Sequence, residues 1–133
     1  MSKRAHFLAL SVVIISLLCA ATPQSAQARD KSQVAREFHA AFEKMYAKPG
    51  DVNLTLDYAK LAVELGDYES ALSPLERVLM INPNLPEARL ELGIMYFKLN
   101  SKLVAKEHLK LVVDDASADA ALKQRAQEYL AKL

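Results

Sequence analysis

Apolar residues recur at three- and four-residue intervals along most of this chain, and polar residues fill the positions between them. From about Gln33 to Ala47, Val34, Phe38, Phe42 and Met45 share one helical face, and Pro49-Gly50 ends the run. The next helix is expected from about Asn53 to Leu65, with Asp51 or Asn53 as its N-cap and Gly66 closing it. Asp67 then caps a helix from about Tyr68 to Ile81. Pro74 falls inside that helix, where its missing N–H predicts a kink facing away from the core. After the turn Asn82-Pro83-Asn84, a fourth helix is expected from Pro86 to Leu99 and a fifth from Lys102 to Val113. Asp114-Asp115-Ala116-Ser117 is a polar break. A last helix from about Asp119 to Lys132 carries Leu122, Ala126, Tyr129 and Leu130 on one face and Lys123, Arg125 and Glu128 on the other.

These helices are not independent. The segment from Leu65 to Ala71 recurs from Leu99 to Ala105, and the same interval separates Pro49 from Pro83. Ala59 and Gly93 are in phase with that period, as are Ala71 and Ala105. Small side chains there let two helices approach closely. A helix–turn–helix unit repeated at this interval is the mark of a helical solenoid.

The pattern resembles the tetratricopeptide repeat, which runs W-x2-L-G-x2-Y, then A-x3-F, then P. Leu92-Gly93, Tyr96, Ala105 and Leu109 follow it in one unit; Tyr58-Ala59, Ala62, Ala71, Leu75 and Pro83 follow it in the other. Thr55 and Arg89 stand at the two Trp positions, and Ser117 where the family has Pro. The resemblance implies an all-α fold, a short α-solenoid of antiparallel helix pairs. Its units are residues 52–85 and 86–119, flanked by a lead-in and N-terminal capping helix at 29–51 and a C-terminal capping helix at 119–133. The N-terminal helix lacks the repeat's Ala and looks like the second helix of a lost repeat.

In this family the first helices of successive repeats line a concave face. The groove positions would hold Asn53, Leu56, Lys60, Val63 and Glu64, then Glu87, Leu90, Ile94, Phe97 and Lys98. Of these, Leu56, Val63, Leu90, Ile94 and Phe97 would form an apolar strip flanked by Lys60 and Lys98. The strip suits an amphipathic helix or apolar peptide of a protein partner. The alternative is that the chain fills its own groove with the helix carrying Val34, Phe38 and Phe42. Some family members clamp a chaperone's C-terminal carboxylate with Lys and Asn. Leu56 replaces that Lys, and Lys60 and Ile94 replace Asn, which disfavours the activity here.

Charge narrows the partner. Against 17 Lys and Arg stand 16 Asp and Glu, so there is no basic footprint for nucleic acid or for an anionic membrane. Positions 1–28 read as a secretory signal: Lys3 and Arg4, an apolar core from Phe7 to Leu18, Pro23, and the cleavage site Ala26-Gln27-Ala28. An uncleaved membrane anchor is the alternative. Cys19, the single cysteine, lies in this segment, so a mature chain would have no thiol chemistry. An exported, cysteine-free helical domain suits the periplasm of a Gram-negative bacterium.

No catalytic constellation emerges. His39 and His108 are isolated, and Asp114-Asp115 are helix-end neighbours that do not face one another. Three scattered glycines make no phosphate loop. Pairs such as Glu87 with Glu91 belong to exposed helix faces. No enzyme, metal, cofactor or small-molecule substrate is implied. The expectation is an exported adaptor or scaffold that binds a protein partner in its concave groove. The rival expectations are a self-assembling subunit, or a stand-alone version of the repeat region that precedes an outer-membrane barrel in some export systems.

Overall fold

The computed structural model describes residues 29–133; the expected signal segment, 1–28, lies outside the described residues. Among them are six α-helices and no strand: α1 (Lys31–Ala47), α2 (Val52–Leu65), α3 (Leu72–Ile81), α4 (Pro86–Lys98), α5 (Lys102–Asp114) and α6 (Ala120–Leu130). Three carboxylates start helices by accepting orphan N–H groups. Asp30 accepts from Ser32 at 3.2 Å, Asp51 from Leu54 at 3.1 Å and Asp119 from Leu122 at 2.8 Å. Gly66 closes α2 in the left-handed conformation, φ 81°, and its N–H returns to the α2 carbonyls. Asn100 makes the equivalent turn after α4 with φ 60°.

The helix expected from Tyr68 is instead split. A single 3-10 turn, Glu69–Ala71, precedes α3, which begins at Leu72. Pro74 is therefore the third residue of α3, where backbone N–H groups have no intrahelical acceptor. No hydrogen bond is lost and no kink is needed. Asp67 does not cap a backbone N–H; its carboxylate accepts from the Ser70 hydroxyl at 2.7 Å.

The helices stack as antiparallel pairs around a continuous core in two parts. Tyr58, Ala59, Ala62, Ala71, Leu75 and Val78 join α2 to α3, and Ala88, Leu92 and Met95 of α4 close over them. Leu90, Ile94, Leu109, Val112 and Ala126 form the second part, with Val63 packed against both. The four in-phase small residues behave as their spacing predicts: Ala59, Ala71 and Ala105 are fully buried, and Gly93 faces α5 so closely that a Cβ would lie 2.9 Å from Leu109 Cγ.

One charged contact lies inside this packing. Glu91 is 3% exposed, and its Oε1 accepts from Arg125 of α6 at 2.8 Å. Both residues depart from the sequence expectation, which placed Glu91 on an exposed face and Arg125 on the outer side of the last helix. The guanidinium reaches back across α6 because a buried carboxylate needs a charged partner.

Candidate protein-binding surface

The seven candidate binding residues divide into two groups. Lys60 and Lys98 are exposed, and Leu56, Val63 and Phe97 are half-buried beside them. Leu90 and Ile94, by contrast, are fully buried and are core. The correction has a simple geometric cause. Leu122, Ala126 and Tyr129 stand one repeat period after Ala88, Leu92 and Met95, so α6 takes the place of a third repeat's first helix. It seals the α4 face that carries Leu90 and Ile94, while Tyr129 meets the Phe97 ring edge-on at 5.3 Å. The strip is thus covered from within the chain, but by the C-terminal helix. The N-terminal helix packs beside α2, with Phe38 stacked on Tyr58 at 4.7 Å. What remains open along α2 and α4 is a narrow apolar floor with a rim of mixed charge: Asn53, Lys60, Glu64, Glu87 and Lys98 are all exposed.

Two clefts were not expected from sequence. One, of about 420 Å³, lies between α1 and α2 and is lined by Ala40, Ala41, Leu54 and Leu61 with Glu37, Lys44, Asp57, Lys60 and Glu64. Arg29 bridges the carboxylates at its end, pairing with Glu37 and, at 2.9 Å, with Glu64. The other, of about 490 Å³, lies between α1 and α3 and is lined by Phe42, Met45, Tyr46, Pro49, Pro74 and Arg77. Phe42, grouped with the inner face from its spacing, is 37% exposed here and stacks on Tyr46, itself 72% exposed. A residue every fourth position marks one face of α1, but that face is wider than its contact with α2.

On the outer side, between α3, α4 and α5, the Tyr96 hydroxyl donates to Glu76 at 2.7 Å, and His108 stacks on the Tyr96 ring at 5.7 Å. The hydrogen bond to the carboxylate, with burial, holds the phenol proton and raises the Tyr96 pKa. Burial, aided by the Arg89 charge, lowers the His108 pKa despite Glu107 and Glu76. His108 Nδ1 is buried without a protein partner. The two rings thus stack with the Glu76 carboxylate hydrogen-bonded at one edge. Among the described residues, no group of three or more His, Cys, Asp or Glu is placed to hold a metal, and no helix is long and apolar enough to cross a membrane.

Comparison with protein families matches residues 52–95 to the tetratricopeptide repeat. The match begins with α2 and ends within α4, spanning the Gly66 turn and the Pro83 turn. No curated protein and no solved structure matches the chain. Solenoids of this kind present extended surfaces to other proteins. Residues 52–95 thus match the tetratricopeptide repeat within a short all-α solenoid, a repeat type suited to protein–protein interaction.

Proposed function

We propose that this protein is an exported adaptor, working in the periplasm of a Gram-negative bacterium, that holds a segment of a partner protein along α2 and α4 and performs no chemistry itself. The observation that carries this is the matched repeat with its first helices side by side, offering Lys60 and Lys98 above Leu56, Val63 and Phe97. A narrow apolar floor with a rim of mixed charge suits a segment whose apolar side chains are flanked by charged residues of both signs. Export rests on the residues from Lys3 to Ala28. Leu90 and Ile94 support the surface from beneath rather than touching the partner. A photo-reactive residue at Lys98 should cross-link one discrete periplasmic protein, and the same label at Lys106 on α5 should not. Identical products from both positions, or products within the chain alone, refute the site.

A further inference from the structure

The two ends of the solenoid are finished differently. At the C-terminal end Gln127 stands one period beyond Gly93 and two beyond Ala59, at the position where a following helix would need a small residue. Gln127 is exposed, and no helix among the described residues packs there. Among the described residues the N-terminal end has no such seal. Leu54 and Leu61 stand one period before Ala88 and Met95, both fully buried against the preceding repeat. In the same way Ala41 precedes Leu75 by one period, and Leu75 too is fully buried. The cleft between α1 and α2 is therefore the seat a preceding helix would occupy, and no helix among the described residues fills it.

Its charges describe what fits there. Glu37, Ala40, Ala41 and Lys44 lie in one stripe of α1, acid at one end and base at the other, about 10 Å apart along the axis at 1.5 Å per residue. Glu64 lies at the acidic end, so two carboxylates share the Arg29 guanidinium and can accept a second cation. The charges lining the cleft balance: Arg29, Lys44 and Lys60 against Glu37, Asp57 and Glu64. Arg29 tempers the acidic end and Asp57 lies toward the Lys44 end, yet a surface with no net charge, an acid–base gradient along α1 and an apolar centre is complementary to itself when turned by a half rotation.

We propose that this edge is a homodimer interface, in which the α1–α2 cleft of one protomer receives that of its partner about a two-fold axis beside Ala40. Lys44 of each protomer then meets the Glu37–Glu64 end of the other. The bulky polar Gln127, where a small residue is needed, disfavours the competing arrangement, head-to-tail stacking of one chain's C-terminal end on the next chain's seat. This interface meets the α2–α4 face assigned to a partner protein at Lys60 and Glu64, but Ala40 and Lys44 of α1 belong to the cleft alone, so changes there test the dimer separately.

Sedimentation velocity on the protein, purified as produced from its full coding sequence, tests it from micromolar to millimolar concentration. A monomer–dimer equilibrium is expected. Ala40→Glu, at an exposed position, should abolish it, and Lys44→Glu should weaken it at least tenfold. The double change Glu37→Lys with Lys44→Glu should recover part of it, since positions 37 and 44 are again of opposite charge while Glu64 is unchanged. A second measurement does not depend on those variants folding normally. In a Cys19→Ser background, Ala40→Cys should form an interchain disulfide on oxidation, and Leu103→Cys on α5 should not. A monomer at every concentration, a dimer indifferent to Ala40→Glu, or equal cross-linking at the two cysteine positions overturns the proposal.

Discussion

Gly93→Ala adds a single carbon at the tightest contact of the solenoid. The new Cβ would lie 2.9 Å from Leu109 Cγ, 3.0 Å from Leu109 Cδ2 and 3.3 Å from His108 Cβ. Carbon atoms prefer separations of about 3.5–4.0 Å. Relief must come from α5, and Leu109 is fully buried against Leu90 and Ile94, so it has no free rotamer to take. Overpacking of this kind costs about 1–3 kcal/mol. Replacing Gly by Ala inside a helix returns about 1 kcal/mol. The net effect is a destabilisation of about 0–2 kcal/mol, or a fall in Tm of up to roughly 10 °C for a domain of this size. Thermal melts followed by circular dichroism read this directly. The decisive comparison is a double-mutant cycle with Leu109→Ala, which alone should cost about 2–5 kcal/mol. In that background Gly93→Ala should be neutral or stabilising, because the clashing atoms are gone. If Gly93→Ala raises Tm in the wild-type chain, or costs the same in both backgrounds, the close approach of α4 and α5 is not what requires glycine.

The remaining predictions separate packing from binding. Ile94→Ala should cost about 2–5 kcal/mol of stability, since it opens a cavity in the core, whereas Lys98→Ala should leave the melt unchanged and weaken partner cross-linking; the reverse pattern would restore Ile94 to the binding surface. Arg125→Ala should cost about 2–3 kcal/mol, below the usual value for a fully buried pair because the guanidinium is partly exposed, and Arg125→Met with Glu91→Met should recover most of it. An unchanged melt for Arg125→Ala would mean that Glu91 is satisfied without it. His108 has a folded pKa below its ordinary value of 6.5, so as pH falls past that value the unfolded chain takes up a proton first. Stability should therefore decline on acidification until the folded-state pKa is passed, and His108→Asn should remove that part of the decline in melts recorded across the range.

The helices, their order and the repeat were legible in the chain because they are local. Asp51, Gly66, Pro86 and the spacing of apolar residues act within a few positions, and a repeat period survives any detail of packing. The small residues at 59, 71, 93 and 105 could be assigned to close contacts for the same reason: the period alone places them in phase. Exposure was a different matter. Leu56, Leu90 and Ile94 share the same helical pattern, yet Leu56 remains half-buried while Leu90 and Ile94 are sealed, and only the docking of α6 decides which. Glu91 and Arg125 look like ordinary surface charges one period apart until that docking brings them to 2.8 Å. Pro74 reads as an interruption only when its helix is started at Tyr68; the 3-10 turn moves that start to Leu72. The sequence by itself determined which segments are helical and how they pair, since backbone hydrogen bonding and helical periodicity are short-range. The tertiary structure alone decided which apolar faces stay open, because burial belongs to the helix that arrives from elsewhere in the chain and not to the residue that is covered.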